Sequence, residues 1–191
     1  MLTGRGMGDA MRRVAVVGPG GAGKSTFADT LGKVTGLPVI HLDRHYWQPG
    51  WVPTPDQEWQ AVQDRLVAAD QWIVDGNYGA TFDLRFARAD TVIILMPPRT
   101  VCLARVLRRW VANRGRAIQA EGCPERVTGE FLRWVWRYAT DSRPRLDAAL
   151  ARHPHLQVHE FATRRQAEAF LTSPATADAP SRERSPRDFT T

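Results

Sequence analysis

Short apolar runs alternate with longer stretches of helical character along most of this chain. The runs, several of them built on valine and isoleucine, predict five β-strands over residues 14–17, 39–42, 72–74, 91–95 and 156–161. The stretches between them predict helices over residues 25–33, 54–69, 100–113, 128–138, 144–151 and 163–171. Strands that alternate with helices form a parallel sheet covered on both faces. The pattern therefore predicts an α/β three-layer sandwich around a five-stranded parallel sheet, whose ligands bind beyond the carboxyl ends of the strands.

Two of these helices carry clear start signals. Thr54 is expected to cap the helix that follows it, with Pro55 at the first helical position and Gln57 at the third. Thr163 and Gln166 have the same capping-box spacing before the last helix. These two signals indicate where the two helices begin.

The two ends of the chain differ from this regular body. Residues 1–11 are glycine-rich and are expected to form a flexible leader, and residues 173–191 are rich in Pro, Ser and charge, as in a disordered tail. The folded domain is expected to cover residues 12–172.

The strongest local signal is the segment GPGGAGKST at residues 18–26, which fits the P-loop pattern G-x-x-x-x-G-K-[ST]. It lies between a predicted strand and a predicted helix, where its glycines and the helix dipole would surround a phosphate group. Lys24 is expected to reach the β- and γ-phosphates, Ser25 to ligate Mg²⁺, and Thr26 to contact the α-phosphate. The expected nucleotide-binding residues of this loop are Gly18, Gly20, Gly21, Ala22, Gly23, Lys24, Ser25 and Thr26.

Two carboxylates come directly after predicted strands. Asp43 follows the second strand and Asp75 the third, so both should lie at the same edge of the sheet as the P-loop. A carboxylate there can accept a proton from an acceptor hydroxyl or hold Mg²⁺ through water. The alternative is that each aspartate caps a turn or a helix.

With these residues identified, the chain resembles the adenylate kinase-like group of P-loop kinases, which includes shikimate and gluconate kinases. More narrowly, it resembles small kinases labelled DNA topology modulation proteins. The resemblance rests on GPGGAGKST, LPVIHLDRHYWQPGW, WIVDGNY, TVIILMPP and the arginine-rich stretch that follows. It implies a nucleoside/nucleotide kinase-like fold that uses ATP and Mg²⁺, with Arg105 and Arg109 in contact with the nucleotide. The expected catalytic residues are Lys24, Asp43, Asp75, Arg105 and Arg109.

The resemblance is incomplete on the acceptor side. The segment between Asp43 and Ile73 is shorter than in adenylate kinases, and Asn77-Tyr78-Gly79 stands where those enzymes have Phe-Pro-Arg. These departures argue against a nucleoside monophosphate acceptor and do not affect the expectation of ATP.

A cluster of arginines predicts a lid over the phosphates. Arg105, Arg108 and Arg109 share one face of a helix, and a loop over residues 114–127 follows. A mobile loop that carries arginines would exclude water and stabilise charge on the transferred group. The expected lid residues are Arg114, Arg116, Arg137 and Arg143. A basic face exposed to solvent is the alternative.

Aromatic residues near Asp43 suggest a wall for a ring-bearing acceptor. Tyr46, Trp47 and Trp51 lie in a loop with Pro and Gly, and packing into the core is the equal alternative. The expected acceptor-binding residues are Asp43, Tyr46, Trp47, Asn77, Tyr78, Arg85 and Arg88, although the two arginines could equally be surface residues.

Charge leaves a second function open. The net charge is +6, and 24 arginines stand against only two lysines, Lys24 and Lys33. Arginine suits phosphate groups, so nucleic acid is a possible partner, but the sequence shows no helix–turn–helix pattern. An ATP-dependent phosphotransferase acting on a small acceptor is therefore favoured over a nucleotide-dependent DNA-binding regulator.

Other function classes lose support. A GTPase switch needs an [NT]-K-x-D motif, which neither lysine provides, and strand three does not end in the adjacent acids of a motor ATPase. Cys102 and Cys123 form no C-x-x-C pair, so no metal or redox motif is expected. Without a membrane-spanning apolar stretch or a signal peptide, we expect a cytoplasmic monomer or homodimer with no membrane partner.

Overall fold

The structure, a computed structural model, describes residues 11–173, so the expected leader up to residue 10 and the expected tail from residue 174 lie outside the described residues. Met11, placed in the leader by the sequence, is buried and belongs to the hydrophobic core. The packed domain thus includes at least this residue of the predicted leader.

The strands are β1 (Arg13–Val17), β2 (Val39–His41), β3 (Trp47–Gln48), β4 (Val52–Pro53), β5 (Trp72–Asp75), β6 (Thr91–Leu95) and β7 (Gln157–Phe161). Five of them form the main sheet, which is parallel and has the order β2-β5-β1-β6-β7. This confirms the predicted five-stranded parallel sheet. The two shorter strands, β3 and β4, form a separate antiparallel hairpin.

The helices cover both faces of this sheet. They are α1 (Lys24–Thr35), α2 (Asp43–Tyr46), α3 (Asp56–Leu66), α4 (Phe82–Phe86), α5 (Arg99–Ala112), α6 (Gly129–Asp141), α7 (Arg143–Arg152) and α8 (Arg164–Leu171), with a 3₁₀ turn at Gly79–Thr81. The sequence did not predict α2, α4 or the hairpin. Over residues 11–173, no helix combines the length and the apolar character that crossing a membrane requires.

Two hydrophobic clusters separate the three layers. Val14 and Val16 point into the cluster that contains α1 and α8, whereas Ala15 and Val17 point into the cluster that contains α3, α4 and α7. All four side chains are fully buried because β1 lies in the middle of the sheet. This explains why the central strands appear in the sequence as unbroken apolar runs.

One of the two predicted helix caps forms, and the other helix begins at a later residue than predicted. Thr163 and Gln166 form the predicted capping box at the start of α8. Helix α3 instead begins at Asp56, and the Thr54 hydroxyl donates to the carbonyl of Tyr46 at 2.6 Å rather than capping the helix. Thr54 therefore fixes the chain leaving the β3–β4 hairpin.

Candidate nucleotide and acceptor site

A cleft of about 880 Å³ opens at the carboxyl edge of the sheet, beyond β1, β2 and β5. The P-loop forms its floor, and the β3–β4 hairpin, helix α5, the segment 118–128 and helix α6 contribute to its walls. The predicted site residues that line it are Gly20, Gly21, Gly23, Lys24, Ser25, Thr26, Asp43, Trp47, Asp75, Asn77, Tyr78, Arg105 and Arg109. The cleft therefore brings both predicted carboxylates to the P-loop.

The P-loop backbone passes so close to its neighbours that only glycine fits at two positions. A Cβ atom at Gly18, where φ is 143°, would lie 2.2 Å from the carbonyl oxygen of Leu95. At Gly21, where φ is 77°, it would lie 2.3 Å from the carbonyl oxygen of Cys102. These glycines fix the loop between β6 and α5, and Gly18 itself is buried beneath the cleft.

Helix α1 begins at Lys24, directly after the loop. The first N–H groups of a helix have no partner within it, so those of Lys24, Ser25 and Thr26 are free to bind an anion. The Lys24 ammonium donates to the carbonyl of Pro19 at 3.1 Å, which holds the charge over the loop. This arrangement suits a polyphosphate.

Asn77 holds the P-loop from the side. Its amide accepts from the Gly18 N–H at 3.0 Å and donates back to the Gly18 carbonyl, and the Tyr138 hydroxyl donates to the same amide oxygen at 3.1 Å. The sequence assigned Asn77 to the acceptor. In the structure its amide binds the P-loop and helix α6, so Asn77 positions the P-loop.

Arg85 lies behind this loop rather than in the cleft. It is fully buried, and its guanidinium donates to the carbonyls of Gly76 at 2.7 Å, of Asn77, and of Tyr78 at 3.1 Å. Burial lowers the pKa of this guanidinium to about 9. Arg85 therefore supports the loop after β5 and does not occupy the acceptor position predicted for it.

Replacing Arg85 by methionine is expected to lower the free energy of unfolding by at least about 2 kcal/mol, because three carbonyls lose their fully buried donor. Nucleotide affinity should fall as well, since Asn77 loses its support. Thermal unfolding and nucleotide titration measure the two effects.

Arg88→Met provides the control, because Arg88 is exposed near the end of the same segment and its guanidinium donates to the carbonyl of Val67 at 3.2 Å. Equal stability of the two variants would contradict the assigned role of Arg85. Arg88 itself lies outside the cleft, unlike the acceptor contact that the sequence predicted.

Asp43 and Tyr78 form a hydrogen-bonded pair in the cleft. The Tyr78 hydroxyl donates to Asp43 Oδ1 at 2.6 Å. Burial raises the pKa of this phenol far above its ordinary value, with a further contribution from Asp43, so it remains a donor at any physiological pH. Tyr78 thereby fixes one carboxylate oxygen of Asp43.

Asp75 belongs to a second polar group, which includes a histidine that the sequence did not assign. The His41 ring lies between two carboxylates, with Nδ1 at 3.1 Å from Asp75 Oδ2 and Nε2 at 3.0 Å from Asp29 Oδ1. The hydrogen bond that Asp75 accepts from the ring raises the pKa of His41, and Asp29 adds to the shift. A signal for both His41 and Asp29 is present in the sequence. His41 ends a strand beside the one that ends at Asp75, and Asp29 follows Ser25 by one helical turn.

The donor set fits a magnesium ion held mainly by nucleotide and water. Within residues 11–173 no group of three His, Cys, Asp or Glu side chains could hold a metal ion by itself. Asp75 Oδ1 is buried and has no hydrogen-bond partner among residues 11–173, so it can accept from a metal-bound water. Ser25 offers a hydroxyl in the same cleft.

Arg105 and Arg109 reach the cleft from helix α5. Arg105 donates to the carbonyl of Ala22 in the P-loop at 3.3 Å. Arg109 donates to Glu125 Oε1 at 2.8 Å, and the Gln119 amide donates to the other oxygen of this buried carboxylate at 3.0 Å. Glu125, which the sequence did not single out, therefore holds Arg109 from the predicted lid.

The four predicted lid arginines lie away from the cleft. The guanidinium of Arg114 lies 5.4 Å from the centre of the Trp110 ring, and Arg116 is exposed. Arg137 pairs with Asp141 in the same helix, and Arg143 pairs with Asp147 and Glu160. Among the arginines of the 114–127 loop, Arg126 lines the cleft instead, and its guanidinium lies 5.0 Å from the Trp51 ring centre.

The aromatic residues divide between the cleft and the packing behind it. Trp47, Trp51 and Tyr78 line the cleft. Tyr46, predicted as an acceptor contact, packs between Trp59 and Tyr78, with ring centres 5.0 and 4.6 Å away. Tyr46 therefore supports the wall from behind.

A second cavity of about 370 Å³ lies beside the P-loop, on the other side of Arg105. Ala22 and Thr26 line it together with Phe161 and Thr163 from the region between β7 and α8. The cavity shares Gly23, Thr26 and Arg105 with the main cleft, so one extended ligand could occupy both.

No protein-family model matches the chain, and no curated protein matches it in sequence. Solved structures do. The chain is similar to shikimate kinase from Acinetobacter baumannii in complex with shikimate, with 17% identity and a TM-score of 0.54 over 84% of this chain and 91% of that chain. It is similar to shikimate kinase from Bacteroides thetaiotaomicron, with 16% identity and a TM-score of 0.50 over 85% and 95%. It is also similar to a gluconokinase from Sinorhizobium meliloti 1021, with 18% identity and a TM-score of 0.52 over 84% and 91%.

These similarities concern the fold. The five-stranded parallel sheet with helices on both faces is the P-loop fold of these proteins, as the sequence predicted. A specific relation to adenylate kinases or to DNA topology modulation proteins does not follow from them.

Proposed function

We propose that this protein is a kinase that transfers the γ-phosphoryl group of ATP to a hydroxyl group of a small acceptor. The observation that carries this proposal is one cleft in which Lys24 and Ser25 of the P-loop face Asp43, whose carboxylate is held by the Tyr78 hydroxyl at 2.6 Å. A phosphate-binding loop and an oriented carboxylate are the two parts that hydroxyl phosphorylation needs.

The nucleotide is proposed to extend across both cavities. Its phosphates bind the N–H groups that begin α1 and the ammonium of Lys24, and its base occupies the smaller cavity beside Arg105. Ser25 would hold Mg²⁺ directly and Asp75 would hold it through water. The ion, when bound, neutralises charge on the β- and γ-phosphates.

Asp43 is proposed to act on the acceptor. Tyr78 occupies one oxygen of its carboxylate, which leaves the other to accept the proton of the acceptor hydroxyl. The acceptor oxygen forms a bond to the γ-phosphorus, the bond from that phosphorus to the β–γ bridging oxygen breaks, and ADP leaves. Lys24, Arg105 and Arg109 stabilise the charge that develops.

The acceptor itself is proposed to be a small molecule bound against Trp47 and Trp51. These rings meet edge to face at 5.4 Å and line the cleft on the side of Asp43. Aromatic side chains offer flat apolar area to a ring-bearing ligand.

A nucleotide-dependent DNA-binding regulator receives less support from the geometry. Several arginines that could contact DNA are paired with carboxylates, among them Arg137, Arg143, Arg152 and Arg164. Those that line the cleft share it with a phosphate-binding loop and with acids, which suits a small substrate.

ATP consumption by the purified protein with Mg²⁺, measured against nucleoside monophosphates, nucleosides and small hydroxy acids, tests the proposal. Strong stimulation by one acceptor would support a kinase and identify its substrate. Slow hydrolysis that no acceptor stimulates and that DNA accelerates would favour the regulator.

A further inference from the structure

The predicted lid contacts the β3–β4 hairpin at the rim of the cleft. The Gly50 N–H donates to the Gly122 carbonyl at 2.9 Å, and the Cys123 thiol donates to the Gln48 carbonyl at 3.2 Å. The Trp51 indole N–H donates to the Pro124 carbonyl at 2.8 Å. The acceptor side and the lid are therefore joined by three hydrogen bonds.

Trp51 takes part in these contacts and also lines the cleft. Its ring lines the cleft, packs against Trp47, and lies under the guanidinium of Arg126 from the lid. Its backbone has a φ of 65°, a conformation that a bulky side chain adopts only when its surroundings impose it. The strained backbone aims the indole at the lid.

The lid carries this connection to the nucleotide side within two consecutive residues. Pro124 accepts the hydrogen bond from Trp51, and the next residue, Glu125, holds Arg109 at 2.8 Å. The Glu125 carboxylate is buried, and its N–H donates to the Arg116 carbonyl at 2.8 Å, so the segment is fixed on both sides. The hairpin that borders the acceptor is thus connected through Pro124 and Glu125 to Arg109, which is expected to lie over the phosphates.

We propose that Trp51 is a specificity-determining residue that makes the acceptor, rather than water, the receiver of the phosphoryl group. Trp51 keeps the lid closed over the volume that the acceptor occupies. Through Glu125 it also keeps Arg109 in place over the same volume. Water is excluded from the γ-phosphate only while this contact is made. The inference rests on the proposed kinase function.

Trp51→Phe tests the contact, because it keeps a ring and removes the indole N–H. Hydrogen exchange of residues 114–127 in the nucleotide-free protein is expected to become about fivefold faster, as the loss of one hydrogen bond implies. The ratio of ATP hydrolysis without acceptor to phosphoryl transfer should rise by a similar factor. Trp136→Phe is the control, because Trp136 is exposed on α6 and does not line the cleft.

A second pair of variants approaches the contact from the lid. A Cβ atom at Gly122 would lie 2.8 Å from Pro49 of the hairpin. One at Gly115 would meet nothing within 4 Å in the described part of the chain, apart from its own chain neighbours. Both glycines have similar positive φ values, of 68° and 78°, so Gly122→Ala and Gly115→Ala share the backbone strain. Only Gly122→Ala should reproduce the effects of Trp51→Phe.

The outcomes separate this inference from the proposed function. Unchanged exchange over residues 114–127 in both Trp51→Phe and Gly122→Ala would overturn the contact, whatever the activity. Faster exchange with an unchanged ratio of hydrolysis to transfer would overturn the role in specificity. A wild-type protein that turns over no ATP with any acceptor would refute the kinase proposal and, with it, the role of Trp51 in choosing the acceptor.

Discussion

Replacing Lys24 by alanine is expected to lower kcat by at least about 100-fold, the size of effect seen when one donor to a developing charge is removed. Lys24 is the only lysine of the cleft, and its ammonium is held over the P-loop by the Pro19 carbonyl. Because it makes no ion pair within the described residues, its loss should leave the melting temperature nearly unchanged. Steady-state kinetics and thermal unfolding measure both quantities.

Lys33→Ala is the matched control for this prediction. Lys33 is the only other lysine of the chain and lies exposed in the last turn of the same helix. Its replacement should change neither activity nor stability. Normal turnover in Lys24→Ala would remove the P-loop from the proposed mechanism, and unfolding of that variant would instead assign Lys24 a structural role.

Replacing Asp43 by asparagine is expected to lower kcat by about 10²- to 10⁴-fold, the range that general-base catalysis contributes. The amide has the shape of the carboxylate and can still accept from the Tyr78 hydroxyl, but it cannot take a proton from the acceptor. Since Asp43 faces the acceptor side, the affinity for Mg²⁺ and ATP should stay within about twofold of the wild type. Kinetics and calorimetric titration separate the two quantities.

Tyr78→Phe is the companion variant. It keeps the ring beside Tyr46 and Trp59 and removes only the hydroxyl that holds Asp43. We expect a smaller loss of kcat than in Asp43→Asn, because the base remains and only its orientation is lost. If Asp43→Asn lost ATP binding and turnover to the same extent, Asp43 would be a structural residue of the cleft.

The parts of the fold that the sequence predicted are those determined locally. Val14–Val17 is apolar at every position because β1 is buried on both faces, so its run marks a central strand without further information. Thr163 and Gln166 form their capping box within four residues of chain. The P-loop could also be recognised locally, because its pattern G-x-x-x-x-G-K-[ST] is complete within residues 18–25.

The parts that the sequence missed depend on contacts between distant segments. Helix α2 has only four residues and the hairpin strands two each, too few to show a periodicity. Arg85 looks like a surface arginine in the sequence, and only the fold shows that three carbonyls surround it. Glu125 was not singled out because its partner Arg109 lies on helix α5, outside the segment that carries Glu125.

The place of several candidate site residues could be predicted from the sequence, whereas their hydrogen-bond partners could not. Asp43 and Asp75 could be placed at the P-loop because the carboxyl ends of parallel strands share one edge. The hydrogen-bond partners of these two aspartates could not be predicted, since the hydrogen bonds from Tyr78 and His41 depend on side-chain rotamers and on the paths of loops. The same holds for Asn77, whose amide binds Gly18, which is far from it in the chain.

The most direct test of the central claim follows the γ-phosphoryl group itself. ATP labelled at the γ-phosphorus is incubated with the protein, Mg²⁺ and the acceptor that most stimulates ATP consumption, and the products are separated. The proposed function predicts that the label appears on the acceptor in amounts equal to the ADP formed, and that Lys24→Ala abolishes both. Label found only in inorganic phosphate, with the acceptor recovered unmodified, would contradict it.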